Sequence, residues 1–397
     1  MTEAISAILI ALCVLLLVPS SVLAAECLAA LLSPGAADRK REEASRAVRL
    51  AVVIPAHNEE LSVAATLEAI RPQLSSQDRA VVVADNCTDR TAELAEQAGA
   101  MVLRRNDSER RGKGYALDFA LSHLAQDPPD AVVFIDADCY PTPGTIRLLA
   151  EVAHREQRPA QAYDEMKRGG ETRTPGLEIS EFAWYLRGRI RPLGLAALGM
   201  PCQLYGTGMA LPWSILESVS MASGNIVEDM KLTLDLIHSG RMPLFCANAK
   251  VSSEFPATAE SAMAQRKRWE HGHLSSIVKY GIPAAWYGLT RFDPRRLALA
   301  LDICVPPLFL LLMLLTALLG ATATTYLLLG VAKAAFVLSA TAWSMAVVSI
   351  IMVWWKHGRG IVAPRTIASL PGYVASKFSV YAKFFTDRQK EWNRADR

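Results

Sequence analysis

The chain has 397 residues, 51% of them apolar, with 42 Lys and Arg against 39 Asp and Glu for a formal net charge of +3. That length allows two or three domains, or one large domain with membrane segments, and so small a net charge gives no footing for a nucleic acid as partner. The seven cysteines (Cys13, Cys27, Cys87, Cys139, Cys202, Cys246 and Cys304) form no CxxC pair, so they indicate neither a zinc ribbon nor a disulfide framework and read as reduced, cytosol-facing thiols.

Residues 5–32 are almost uninterruptedly apolar, with Glu26 the only charge. The run exceeds the roughly 20 residues that span a bilayer. A signal peptide is the competing reading, because "SVLAAE" offers small residues for cleavage. The "MTEA" start, however, carries no Lys or Arg, and the apolar run continues past that point. A retained transmembrane helix over residues 1–33 is therefore expected. The flank after it holds Arg39, Lys40, Arg41, Arg46 and Arg49, which places the next part of the chain in the cytoplasm by the positive-inside rule.

From residue 48 the pattern changes to alternating elements. "VRLAVVIPA" reads as a strand and "LSVAATLEAIRPQL" has helical spacing; "RAVVVADN" is a second strand. "TDRTAELAEQAGA" is a helix with Thr88 as N-cap and Gly99 as its stop. "MVLRR", "GYALDFALSHL" and "AVVFI" continue as strand, helix and strand. Such alternation implies βαβ units and a mainly parallel sheet, whose ligands bind at the carboxyl ends of the strands. Asp85 follows one strand, and Asp136 with Asp138 follow another.

The stretch "VVFIDADCYP" runs a buried strand into two acids one residue apart. On an extended chain their side chains point the same way and repel. Two readings stand: an acidic loop, or a divalent cation between the carboxylates. "GKGYAL" opens a helix with glycines around Lys113; it suits a diphosphate or is a surface turn, and it is neither GxGxxG nor a Walker A loop. In "NIVEDMKLTLDL", Glu228 and Asp229 precede a helix with Met230, Leu234 and Ile237 on one face. These acids either complement the helix dipole or include a catalytic base. "EFAWYLRGRIRPLGL" mixes aromatic and basic residues as an interfacial helix does, and the basic run "QRKRWEHGH" reads as a membrane-facing or solvated surface, with His271 and His273 expected at the interface.

Residues 297–355 are apolar again and long enough for two spans, with the turn expected at "GATATT", residues 320–325. Arg291, Arg295 and Arg296 lie before the block, and Lys356, Arg359 and Arg365 after it, so both flanks read as cytoplasmic. Asp302 within the block is expected to face protein or the interface rather than lipid.

In the order "VVIPAHNEE", "VVVADNCTDRT", "GKGYAL", "FIDADC", "YGTGMALP", "VEDMKLTLDL", "QRKRW", the chain resembles membrane-bound family 2 glycosyltransferases of GT-A fold, the group of cellulose, chitin and hyaluronan synthases and of exopolysaccharide and lipid glycosyltransferases. The resemblance covers residues 48–274. It implies an α/β, Rossmann-like GT-A domain over residues 45–290, one transmembrane helix before it, two over residues 297–355, and a cytosolic or interfacial tail over residues 356–397. The implied localisation is a multi-pass protein of the cell membrane with its catalytic domain in the cytoplasm.

The resemblance also implies roles. Pro55, His57, Glu59 and Asp85 would contact the nucleotide. Asp136 and Asp138 would be the DxD pair, Asp138 the more direct ligand of Mg2+ or Mn2+. Lys113 and Arg268 would meet the diphosphate. Asp229, beside Glu228, would be the general base, and Trp269, Gln265, Gly206 and Thr207 would line the acceptor site. The donor would be a nucleotide-diphosphate sugar, with UDP the family-level expectation. The acceptor would be lipid-linked or a growing glycan in cell-surface polysaccharide synthesis, with the bilayer and other synthesis or export proteins as partners. The mechanism would be in-line displacement with inversion.

The chain departs from the best-known synthases in "ADNCTD", with one Asp where a pair is common, in Val227 before the "ED", and in having only three spans. A membrane lipid as acceptor is the alternative within the same chemistry. A catalytically silent membrane scaffold of a secretion complex is the alternative of another class. An ATP-driven transport component lacks its Walker A sequence here.

Overall fold

The computed structural model describes residues 2–33, 48–170, 174–222, 228–256 and 258–386. The basic flank at residues 39–46, Val227 and the end of the tail lie outside the described residues. Among the described residues the chain divides into two compact units: residues 48–170 with 201–265, and residues 2–33 with 174–200 and 266–386.

The first unit is built on an eight-stranded sheet. Its strands are β1 (Leu50–Ala56), β2 (Arg79–Asp85), β3 (Met101–Arg105), β4 (Ala131–Phe134), β5 (Tyr140–Pro141), β6 (Ala160–Lys167), β7 (Met209–Pro212) and β8 (Leu244–Glu254), in the order β3-β2-β1-β4-β7-β6-β8-β5. β3, β2, β1 and β4 run parallel, as the alternation of elements predicts. β7 then pairs antiparallel with both β4 and β6, β6 pairs parallel with β8, and β5 is a short antiparallel edge. A parallel strand covered on both faces must be apolar on both. In β1, Leu50, Val52 and Ile54 pack into one core with Val63, Leu67, Ile146 and Leu149, while Ala51 and Val53 pack into another with Leu117, Leu121 and Leu124. The helices Val63–Ile70 and Thr145–Glu156 thus cover one face, and Lys113–Leu124 with Glu228–His238 the other.

Local chemistry corrects one expected boundary. The helix after β2 is Thr91–Gln97, and Thr88 does not cap it. Thr88 N–H donates instead to Asn58 Oδ1 at 2.7 Å, while Asp89 Oδ1 accepts from Thr91 N–H at 3.0 Å. Gly99, at φ +80°, does end the segment.

The second unit contains three helices long and apolar enough to cross a bilayer: Thr2–Leu32, Leu308–Leu329 and Lys333–Gly358. The turn between the latter two is not at residues 320–325. There Thr322, Thr324 and Thr325 donate their hydroxyls to the carbonyls of Leu318, Gly320 and Ala321 at 2.8–2.9 Å, which satisfies them inside a continuous helix. The reversal comes at Gly330 and Ala332, with φ +71° and +62°, and Lys333 opens the next helix. Asp302 lies in a separate helix, Pro294–Cys304. The pair Pro306–Pro307 then interrupts the ladder before Leu308.

The first and third long helices lie side by side in the same direction. Cys13 Sγ donates to Ala335 O at 3.3 Å near one end, and Lys356 Nζ donates to Leu31 O at 2.7 Å at the other. Arg191, expected on an interfacial surface, is buried instead. Its Nε donates to Glu26 Oε2 at 2.7 Å and its Nη2 to Asp302 Oδ1 at 2.5 Å. That pairing carries the expectation that Asp302 faces protein. His271 is also inside, 1% exposed. His273 Nε2–H donates to Ile303 O at 2.9 Å, and burial, then the nearby Arg187, push its pKa down to about 4.

Gly194 lies where its helix, Arg191–Ala197, meets the helix Thr2–Leu32: an added Cβ would stand 2.0 Å from Glu26 O. Backbone cannot yield as a side-chain tip can. Gly194→Ala should therefore destabilise by at least about 1–3 kcal/mol. In contrast, Gly320→Ala, in a long helix with nothing within 4 Å of the added atom, should be neutral or stabilising by about 0.5–1 kcal/mol. Thermal unfolding of the two variants in detergent checks the contrast.

Candidate functional site

The parallel strands end at one level, and that level gathers the polar residues. β1 leads into His57, whose Nδ1–H donates to Asp85 O at 2.7 Å. Pro55 is half-buried at the end of β1, and the Glu59 carboxylate accepts from Ser62 Oγ at 3.0 Å. Asp85, at the end of β2, is paired in register with Arg105 at the end of β3. Arg105 Nη1 donates to Asp85 Oδ1 at 2.7 Å, and its Nη2 reaches Asp107 Oδ2 at 3.1 Å and Arg110 O at 2.7 Å. Asn86, at φ +50°, adds its own amide to Asp85 Oδ1 at 2.9 Å. The backbone N–H of Arg110, foremost, holds the Asp107 carboxyl below its usual range.

β4 ends in the acidic pair. The two carboxylates are not brought together by an extended chain, as the spacing alone suggested. They sit in a turn closed by Cys139 N–H donating to Asp136 O at 3.0 Å. Ligating atoms of Asp136, Asp138 and Cys139 lie within 4.8 Å of one another. Lys113, the first residue of its helix, stands against this turn: its Nζ is 2.5 Å from Asp136 Oδ1 and donates to Gly206 O at 3.0 Å. Burial, then the Asp136 and Asp164 carboxylates, hold the Cys139 thiol well above its ordinary pKa.

The loop before β7 completes the cluster. Thr207 Oγ1 accepts from Asp136 N–H at 3.1 Å. Gly206 has φ +81°, and a Cβ there would be 3.1 Å from Lys113 Nζ and 3.8 Å from Asp229 Oδ2. The absence of a side chain at Gly206 therefore lets the ammonium and the Asp229 carboxylate both come close to it. Asp229 is the second residue of the helix Glu228–His238, and the side chain of Glu228 lies outside the described residues. Lys113, Gly206, Met209, Met221 and Asp229 line a common cleft.

Two supporting residues carried no signal in the sequence. Gln161, fully buried, accepts from Tyr205 N–H at 2.9 Å and donates to Thr207 O at 2.9 Å. Thr233 accepts from Leu204 N–H at 3.0 Å and donates to Asp229 O at 2.8 Å. Together they tie the loop to β6 and to the helix of Asp229. Arg105 was legible in principle, since a strand adjacent and parallel to β2 ends on it. Gln265 is buried in the first unit. Arg268 and Trp269 belong to the second unit, where Trp269 packs on Trp184 with ring centroids 5.0 Å apart and Arg187 lies 5.0 Å over the Trp184 ring.

The cluster can hold a hard divalent cation on carboxylate oxygens, an anion between Lys113 and a helix N-terminus, and a proton on Asp229. The sequence profile described as Glycosyltransferase like family 2 matches residues 48–272. The probable glycosyltransferase YdaM of Bacillus subtilis is 26% identical over 255 residues, which cover 60% of this chain and 59% of that protein. This chain thus spans less than two thirds of that relative. Glucosyl-3-phosphoglycerate synthase of Mycobacterium tuberculosis is 29% identical over 278 residues, 64% of this chain and 80% of the synthase. Among solved structures, the mannosyltransferase PcManGT of Pyrobaculum calidifontis, in complex with GDP-Man and Mn2+, matches with a TM-score of 0.55 at 17% identity, over 97% of this chain and 99% of that one. At that identity the likeness is one of fold.

Arg105 and Asp85 are 8% and 10% exposed at their side chains. Removing one member of such a pair strands the other, so Arg105→Met should cost about 3–5 kcal/mol. The double variant Asp85→Asn/Arg105→Met should recover part of that loss. Unfolding of both single variants and the double variant measures the coupling.

Proposed function

The chain belongs to the glycosyltransferase-like family 2, and from that premise we propose that it is an inverting, metal-dependent transferase that moves a sugar from a nucleotide-diphosphate sugar, a UDP-sugar, to an acceptor held at the membrane. The observation that carries the reading is the meeting at Gly206 of Lys113, paired with the acidic turn, and Asp229. A diphosphate and a hydroxyl nucleophile need those two poles within one sugar's reach.

In this reading the nucleotide lies over the carboxyl ends of β1 and β2, against Pro55, His57, Glu59 and Asp85. Arg105 orients Asp85 through its Nη1 hydrogen bond. Lys113 and the start of its helix receive the diphosphate. Asp138 and Asp136 hold Mg2+ or Mn2+; two carboxylates in one turn fit such an ion. When bound, the ion neutralises charge on the leaving diphosphate. Asp229, beside Glu228, takes the proton of the acceptor hydroxyl as its oxygen bonds to the anomeric carbon and the bond to the diphosphate breaks. Gly206 and Thr207 bound the acceptor side, with Gln265 of the same unit; the face of Trp269 suits sugar C–H surfaces.

Three apolar helices support an anchored, multi-pass protein of the cell membrane, and the basic flanks support a cytoplasmic catalytic domain. The acceptor is then lipid-linked, or a growing glycan of cell-surface polysaccharide synthesis made with export partners. A membrane lipid itself is the second reading, favoured by the Trp184–Trp269 pair lying in the same unit as the apolar helices.

The test is release of nucleoside diphosphate by the detergent-purified protein with Mn2+, across UDP- and GDP-sugars. Release from a UDP-sugar is expected, and release from GDP-sugars alone would correct the nucleotide. Asp229→Asn should lower turnover by about 10²–10⁴-fold while calorimetry still detects donor binding; binding lost with turnover would make Asp229 structural. Chelation by EDTA should abolish turnover and Mn2+ or Mg2+ restore it. Full activity in EDTA would remove the metal role of Asp136 and Asp138.

A further inference from the structure

Lys113 is arranged to do more than wait for a phosphate. Its side chain is 14% exposed, and its ammonium is fixed between Asp136 Oδ1 at 2.5 Å and Gly206 O at 3.0 Å. The backbone that carries the carboxylate is fixed too, because Asp136 N–H is held by Thr207 Oγ1 at 3.1 Å and Asp136 O by Cys139 N–H at 3.0 Å. An ammonium in that position takes the oxygen a divalent ion would use, and it repels that ion at close range in a partly desolvated site. A nucleoside diphosphate reverses the balance: its oxygens accept the ammonium and bring negative charge to the ion.

Resting on the functional reading above, we infer that Lys113 is a built-in counter-cation of Asp136 that makes divalent metal binding conditional on the nucleotide. Without nucleotide the ammonium neutralises the acidic turn and keeps its metal affinity low. With nucleotide it transfers to the diphosphate and frees Asp136 to join Asp138. Gly206 is part of the device, since a Cβ there would stand 3.1 Å from Nζ and crowd the ammonium in the position it holds. Binding is thereby ordered, and loose metal is not retained by an empty site.

The experiment is Mn2+ binding to the full-length, detergent-purified protein, read from the loss of the free-ion paramagnetic resonance signal, with and without UDP or GDP. Wild type should bind Mn2+ weakly alone and at least about tenfold more tightly with one of the nucleotides. Lys113→Met should bind Mn2+ alone at least about tenfold more tightly than wild type, since one adjacent positive charge is gone, and its gain from nucleotide should shrink. A merely structural lysine would not yield a gain in affinity. Lys113→Gln serves as the second variant should the methionine disturb folding, and should behave alike. Unchanged or weaker Mn2+ binding in both folded variants, with wild type still responding to nucleotide, overturns this inference and leaves the functional reading standing. Absence of Mn2+ binding in wild type and variants even with nucleotide overturns both.

Discussion

Carboxylates gathered at one end of a sheet repel one another, and the way that repulsion is offset organises everything around β4 and β2. Asp85 and Asp107 are both served by one buried guanidinium, Arg105. Asp136 is served by the ammonium of Lys113. For Asp85 the cation comes from the strand after it, and for Asp136 from the helix before it, and each arrives at the level of the acid. A parallel sheet makes this possible because all its carboxyl ends face one way. The polar cluster is therefore a consequence of strand direction as much as of residue type.

The same constraint recurs in the helical unit with a different balance. Glu26, Arg191 and Asp302 come from three helices and are 1%, 9% and 2% exposed. One guanidinium bridges two carboxyl groups from different helices. Such an arrangement is weak evidence for stability and stronger evidence for uniqueness of packing, because any slip of one helix strands a charge. Gly194, in the helix that carries Arg191, permits contact with the backbone of Glu26 itself, so close approach and charge pairing fix the same crossing.

The legible part of the sequence was its period and order. Continuous apolar runs such as Leu50–Ala56 announced strands buried on both faces, and the acids after them announced the functional end. The illegible part depends on non-local partners. Gln161 looks like an ordinary polar residue near the start of a strand, yet it bonds two backbone groups of the 205–207 loop. Arg191 sits in a basic, aromatic stretch that reads as surface, and only Glu26 and Asp302, far away in sequence, make it interior. The threonines at 322–325 resemble a turn because they are polar among leucines. A helix hides that polarity by bonding each hydroxyl to the carbonyl one turn back, whereas the true reversal needed the positive φ of Gly330.

The direction of the long helices links the two halves of the sequence reading. Contacts of Cys13 with Ala335 and of Leu31 with Lys356 require the first and third of them to run the same way. The chain therefore leaves both helices at the same end. Arg39, Lys40 and Arg41 come after one exit, and Lys356, Arg359 and Arg365 lie at the other. The positive-inside rule demands that two such basic flanks share one side of a bilayer, and parallel packing of the first and third helices meets that demand. Charge counted along the chain and contacts between helices are independent kinds of evidence, and both agree with the proposed topology.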